Sequence, residues 1–214
     1  LSNMGVTYGE PDINLEIIRT HKDKMVAQLN GGISQLAQAR KVETIEGTAI
    51  FVSNSELSIK TDASTLAVSF DQCIIASGSS SAMIPGIPSD HPSILTSRTA
   101  LDLIDIPGKM LIIGGGIIGL ELGQVYAALG SKISVVEFLS TLIPGTDTDI
   151  VKPLQRKLNK QFETIMLSAK ATEVVPNDDN TLNVTIEKEK NTSTHTYDKV
   201  LVSVGRKPNT NLLN

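Results

Sequence analysis

One stretch limits what this chain can fold into more than any other: residues 110–137, MLIIGGGIIGLELGQVYAALGSKISVVE. Residues 110–113 are apolar without alternation, as in a strand buried on both faces. A glycine-rich turn follows, then a helical pattern, a stop at Gly130, and a second apolar strand that ends on an acid, Glu137. Gly114, Gly116 and Gly119 fit G-x-G-x-x-G. The first allows a sharp strand-to-helix turn, the second lets backbone approach a pyrophosphate, and the third lets the helix sit close on the strand. A helix opening there aims free N–H groups and its positive dipole end at phosphate. About 20 residues beyond the glycines, Glu137 is placed to accept hydrogen bonds from ribose hydroxyls. The bland alternative is an ordinary βαβ unit that binds nothing. It accounts for the glycines but not for the acid at the end of the second strand.

The 214 residues suffice for one large domain or two small ones, and 40% hydrophobic with 20% charged residues is a globular balance. A net charge of −4 gives no general attraction to nucleic acid or anionic membrane. No apolar run approaches membrane-spanning length and the N-terminus carries no secretory pattern, so a cytoplasmic location is expected. The single Cys73 excludes an intramolecular disulfide and reads as a small buried apolar residue rather than a nucleophile. No clustered His, Cys or acid set suggests a metal site. The opening LSNMGVTYGEPDI and the close at residues 211–214, just after a turn, read as the interior of a longer protein.

Leu15, Ile18, Met25, Leu29, Ile33 and Leu36 recur at helical spacing, with Gly31 and Gly32 as a break or a close backbone approach. From residue 41 the period changes. Residues 42–45, 50–52, 57–59, 66–70 and 73–75 are short β-rich runs between Gly, Ser, Asn and Asp. Residues 79–106, rich in Pro, Ser and Gly, suit a crossover, with a short helical patch at 99–103 and a domain boundary near Pro107-Gly108. Beyond Glu137, Asp147 or Asp149 is positioned to cap a helix carrying Ile150, Leu154 and Leu158. Residues 164–167, 171–175, 182–187 and 193–197 read as strands, the last two a hairpin, and 199–204 as a buried strand. His21, His91 and His195 lie in a helix, a turn and a strand without a catalytic context.

The runs GGGIIGLELGQVYAALGSKISVVE, CIIASGS and VGRKPN closely resemble the flavoprotein disulfide reductases, and within them the dihydrolipoamide dehydrogenases. The resemblance covers essentially the whole chain, including IPGTDTDIVKPL. It implies an α/β, Rossmann-like FAD/NAD(P)-binding fold: a parallel sheet with a β-meander excursion, plus the remainder of an FAD domain. Residues 1–108 would be the later part of the FAD domain and 109–214 the NAD domain. By that resemblance Gly114, Gly115, Gly116, Ile117 and Ile118 hold the NAD pyrophosphate, Gly119 belongs to the same cofactor site, and Glu137 takes the ribose. Ala171, Val204 and Gly205 would line the rest of the NAD cleft. Glu121 matches a glutamate near the nicotinamide and flavin; without that role it is an acid in the first turn of the helix. Ala49, Ser77, Gly78 and Ser79 match FAD-contacting positions, although the family more often has Thr or Ala at Ser77 and Gly at Ala49.

The family also needs an N-terminal glycine motif for FAD, a redox-active cysteine pair and a C-terminal His–Glu base. None is in these 214 residues, so no catalytic residue is assigned. The resemblance implies NAD as acceptor, FAD in the whole enzyme, dihydrolipoamide on the lipoyl domain of an acyltransferase as substrate, and a homodimer. The isolated chain is expected to bind FAD poorly. An NADPH-using relative of the glutathione or mercuric reductase type would carry basic residues after the second strand. Here Phe138, Leu139, Ser140 and Thr141 follow Glu137. A non-catalytic dinucleotide-binding module is the alternative outside the enzymes.

Overall fold

The computed structural model describes Gly5, Gly9, residues 11–211 and Leu213. Part of the opening segment and of the terminal turn read above therefore lies outside the described residues. In chain order the elements are α1 (Leu15–Ala39), β1 (Thr48–Ser53), β2 (Glu56–Lys60), β3 (Thr65–Ser69), β4 (Ser79–Ser81) and β5 (Ile94–Leu95). A 3-10 turn (Thr99–Asp102) precedes β6 (Lys109–Ile113), α2 (Ile117–Ala128), β7 (Lys132–Val136) and α3 (Thr148–Gln161). Then come β8 (Thr164–Met166), β9 (Ala169–Pro176), β10 (Leu182–Lys188), β11 (Asn191–Tyr197), β12 (Lys199–Val202) and β13 (Arg206–Pro208). The chain divides into two compact units. One holds residues 1–24 and 83–204, the other residues 25–82 and 205–214.

The first unit is built on a five-stranded sheet in the order β5-β12-β6-β7-β8. Its four pairings are all parallel. The register of β6 on β7 runs from Lys109 opposite Lys132 to Ile113 opposite Val136, the adjacency that the strand–helix–strand pattern requires. Alternate side chains serve two cores. Met110, Ile112, Ile133, Val135 and Leu201 face α2 and α3, where they meet Leu120, Leu122, Tyr126, Leu158 and Phe162. Leu111, Ile113, Val136, Val200 and Val202 face the antiparallel meander β11-β10-β9, against Val174, Leu182, Val184, Ile186 and Tyr197. With both faces covered, the strands carry no polar alternation, and each fully buried Leu or Ile contributes roughly 1.5–3 kcal/mol. This is a Rossmann-like α/β sheet with a β-meander excursion between β8 and β12. The two-residue strand β5 extends it from the Pro- and Ser-rich segment, where the sequence suggested only a crossover.

Tyr126 ties α2 to the segment below it by donating from its hydroxyl to the Ala100 carbonyl at 2.8 Å. The 3-10 turn ends on Leu103 in the left-handed region, and two cations of α1 take up its carbonyls. Arg19 donates to the Leu103 carbonyl at 2.9 Å, and Lys22 to that of Leu101 at 3.0 Å.

The second unit holds an antiparallel sheet β1-β2-β3 and a two-stranded ribbon of β4 with β13. Phe51 and Phe70 meet edge to face, centroids 6.0 Å apart. Helix α1 differs from its sequence reading. It runs unbroken through Gly31 and Gly32, and a Cβ at either would meet nothing within 4 Å, so neither marks a break or a close approach. Asn14 opens this helix by accepting from the Ile17 N–H at 3.1 Å. Residues 42–45 and 73–75 also depart from expectation, for neither run is a strand. Among the described residues no strand pairs with them, and β-branched composition alone does not make a ladder. Cys73 is accordingly exposed rather than buried, beside Ile74 at 92% exposure.

Candidate dinucleotide-binding site

The C-terminal ends of β6, β7 and β12 converge on the glycine turn. Gly114 sits at φ +108°, and a Cβ there would lie 2.5 Å from the Ser203 carbonyl oxygen, so only glycine fits. A Cβ on Gly119 would meet the Gly114 carbonyl and Ser203 Oγ, both at 2.5 Å. The third glycine is thus the close-packing position of α2 on the strand ends. Gly116 is the opposite case. It is the N-cap of α2, in extended conformation, and a Cβ would meet nothing within 4 Å. With no side chain capping this helix end, the first-turn N–H groups beside Ile117 and Ile118 face an open cradle.

Glu137 closes the cradle. It is buried, with 7% exposure, and both carboxylate oxygens are engaged by backbone. The Gly115 N–H donates to Oε2 at 2.6 Å and the Leu139 N–H to Oε1 at 2.7 Å. The carboxylate therefore bridges the loop after β6 to the loop after β7. Gly115 is held on its other side too, since the Ile143 N–H donates to its carbonyl at 2.9 Å. Ile143 does so from φ +47°, an uncommon conformation for a β-branched residue. A carboxylate has about four acceptor positions, so two remain for hydroxyl donors.

Gly114, Gly115, Gly116, Gly119 and Glu137 thus come together with the backbone of Ser203 and Val204. The Val204 nitrogen would lie 3.2 Å from a Cβ on Gly114. Ala171 packs its side chain into the core, two residues beyond Ala169, whose N–H donates to the Glu137 carbonyl at 3.0 Å. Glu121 is exposed at the fifth position of α2, one residue past the first turn. Ser203 was not singled out from sequence. Its hydroxyl lies 3.2 Å from the carbonyls of both Ile113 and Gly114, tying β12 to the turn. A serine ending a buried apolar strand was the available signal.

The remaining candidates lie in the second unit. Ala49 is half-buried on β1, opposite Ile59. Ser77 donates to the Asn209 carbonyl at 2.7 Å, and the Asn209 side chain donates back to the Ser77 carbonyl at 3.1 Å. Gly78 lies at φ +73° between them. Arg206 donates to both the hydroxyl and the carbonyl of Ser79. Gly205 sits at φ +126°, and its carbonyl accepts from the Ala82 N–H at 3.0 Å. The serine hydroxyls are therefore committed within the protein, and what this turn offers outward is backbone around Gly78.

Comparison with known proteins places the chain. The model of the pyridine nucleotide-disulphide oxidoreductases matches residues 5–214. The chain belongs to this family. A dihydrolipoyl dehydrogenase of Haemophilus influenzae is 42% identical over 210 residues, 98% of this chain and 44% of that protein. This member of the oxidoreductase family thus spans less than half the length of that relative. Among solved structures, LpdA from Mycobacterium tuberculosis superposes with a TM-score of 0.84 at 23% identity, covering 95% of this chain and 45% of that one. The HOCl-induced flavoprotein disulfide reductase RclA of Escherichia coli, as its Cu(II) complex, gives 0.79 at 28% identity, covering 91% of this chain and 44% of that one. Family membership and fold agree with the resemblance read from the glycine turn and its flanking motifs. Among the described residues no helix is long and apolar enough to cross a membrane.

Proposed function

We propose that this chain carries the NAD site of a dihydrolipoyl dehydrogenase, the part of the enzyme where a hydride reaches the nicotinamide. The observation that supports it best is Glu137, a buried acid fixed by two backbone N–H groups at the end of β7. Its two remaining acceptor positions suit the 2′- and 3′-hydroxyls of an adenosine ribose. The open face at Gly116 and the uncapped N-terminus of α2 suit the pyrophosphate. NAD, when bound, supplies the hydride acceptor; the chain supplies the N–H donors and the carboxylate that orient it. Glu121, Ala171, Val204 and Gly205 would border the same ligand. Ala49, Ser77, Gly78 and Ser79 would contribute backbone to a flavin nucleotide in the whole enzyme, with residues 1–108 as the later part of that domain and 109–214 as the NAD domain. Dihydrolipoamide on an acyltransferase and a homodimeric partner belong to the same proposal.

A 2′-phosphate at Glu137 would meet a like charge and lose the hydroxyl bonds. One hydrogen bond to a charged group contributes roughly 1.5–3 kcal/mol, so a preference for NADH over NADPH of about ten- to a hundredfold is expected. Calorimetric titration of the purified chain with each cofactor tests this. Equal affinity for the two would remove the assignment of Glu137 to the ribose, and binding of neither would remove the site.

A further inference from the structure

We propose that Ser203 is a positioning residue of the cleft, a role that rests on the dinucleotide reading. Its hydroxyl and the Glu137 carboxylate hold the Gly114–Gly115 peptide from its two ends and keep a carbonyl out of the pyrophosphate cradle. Gly114, Gly115 and Gly116 are consecutive, and such a run has little conformational preference of its own. A peptide between two glycines meets little steric resistance to turning over. Turned over, it would present a carbonyl where phosphate needs an N–H.

The carbonyls of this turn are each claimed inside the protein. That of Gly116 accepts from the Leu120 N–H at 3.1 Å, and that of Gly115 from the Ile143 N–H at 2.9 Å. In a trans peptide the N–H points opposite to the carbonyl. The Gly115 bond therefore turns the Gly116 N–H away from Ile143, and that N–H has no partner among the described residues.

The Gly114 carbonyl depends on Ser203. The hydroxyl lies 3.2 Å from it and 3.2 Å from the Ile113 carbonyl, with one proton to donate. Ile113 already accepts from the Ser203 N–H at 2.8 Å, whereas no other donor among the described residues reaches the Gly114 carbonyl. The N–H of the same peptide, that of Gly115, is the one held by Glu137 at 2.6 Å. One peptide plane is thus fixed from opposite ends by the residues that follow β12 and β7. Without the hydroxyl, the Gly114 carbonyl finds a donor by rotating towards water in the open cleft. That rotation takes the Gly115 N–H off Glu137 and sets a partial negative charge against the pyrophosphate.

The test titrates NADH by calorimetry into the chain, Ser203→Ala and Ser203→Thr, and follows the Gly115 amide of each by NMR and hydrogen exchange without ligand. Loss of one neutral hydrogen bond is expected to weaken NADH binding in Ser203→Ala roughly two- to tenfold. The Gly115 amide resonance should move and its exchange quicken, because that proton no longer rests on a carboxylate. Ser203→Thr keeps the hydroxyl and should return both readouts towards wild type. A lower melting temperature of Ser203→Ala with unchanged NADH affinity would make the serine a structural tie only and overturn the proposal. So would weaker binding with an unmoved Gly115 amide, or equal losses in the Ala and Thr variants. Each of these results leaves the dinucleotide site standing. Failure of the wild-type chain to bind NADH would overturn that site, and this proposal with it.

Discussion

Removing the Glu137 side chain should loosen the cleft even when no ligand is present. In Glu137→Ala the two bonds at 2.6 and 2.7 Å disappear together. Each charged N–H···O bond contributes roughly 1.5–3 kcal/mol, but the two losses are unequal. Leu139 is part-exposed, so water can replace its acceptor and the net cost there falls to about 1 kcal/mol or less. The Gly115 N–H is buried and left without a partner, which costs about 1–3 kcal/mol. Loss of the Glu137 Cγ methylene, which lies beside Gly115, adds roughly 1 kcal/mol. A destabilisation of about 2–5 kcal/mol follows, or a melting temperature lower by roughly 4–20 °C. Glu137→Gln should restore only part of it. An amide oxygen can accept from one N–H, while the NH2 group faces the other donor. The assay is thermal unfolding of the ligand-free chain, with amide exchange of residues 114–118 and 137–143 to localise the effect. Glu121→Ala, on the exposed side of α2, serves as the control and should change little. If Glu137→Ala melts with wild type and its glycine turn exchanges no faster, the carboxylate is not a strut and the reasoning fails.

The glycines should separate by function. Gly119→Ala places a Cβ 2.5 Å from two oxygens and should destabilise the ligand-free chain by roughly 1–3 kcal/mol, measured by denaturant unfolding. Gly116→Ala meets open space and should cost less than about 1 kcal/mol in the same assay, yet weaken NADH binding by crowding the pyrophosphate. Tyr126 gives the pH prediction. Burial, with smaller contributions from Asp105 and then Asp102, pushes its hydroxyl up from 10.0 to about 12. A folded-state value raised above the unfolded one means this contribution is fully present below pH 10 and is lost as pH rises towards 12. Tyr126→Phe should flatten that alkaline loss in a stability–pH series and, at neutral pH, cost about 0.5–1.5 kcal/mol for the bond to Ala100.

The central βαβ unit was legible because each constraint on it is local. Gly114 needs a positive φ, Gly119 needs a missing Cβ, and unalternating strands need two covered faces. The strands of the meander were likewise placed from alternation and turn residues, to within a few positions. What escaped depends on contacts that pattern cannot report. Residues 73–75 are as β-branched as the true strands, but a strand exists only where a neighbour offers its ladder, so Cys73 and Ile74 stand exposed. Strand β5 is the converse: two residues in a proline-rich stretch pair because β12 runs beside them. At the site, sequence assigned Glu137 a ligand but not its backbone partners. Those partners lie 22 and 2 residues away and are N–H groups that every residue type except proline would offer.

The acid therefore acts within the glycine turn itself, through its bonds to Gly115 and Leu139. A carboxylate with 7% exposure must be satisfied at all times, not only when a ribose arrives. The Gly115 and Leu139 N–H groups do that and fix the carboxylate in direction. A surface glutamate could swing away from an incoming 2′-phosphate and let water screen the charge. One clamped between two loops cannot move without leaving two N–H groups unpaired, one of them buried. Under the proposed NAD reading its repulsion of a 2′-phosphate would therefore persist, and its acceptors would need no ordering before meeting two hydroxyls. The bonds that hold the glycine turn in shape without ligand would be the same bonds that give the cleft its preference for NAD.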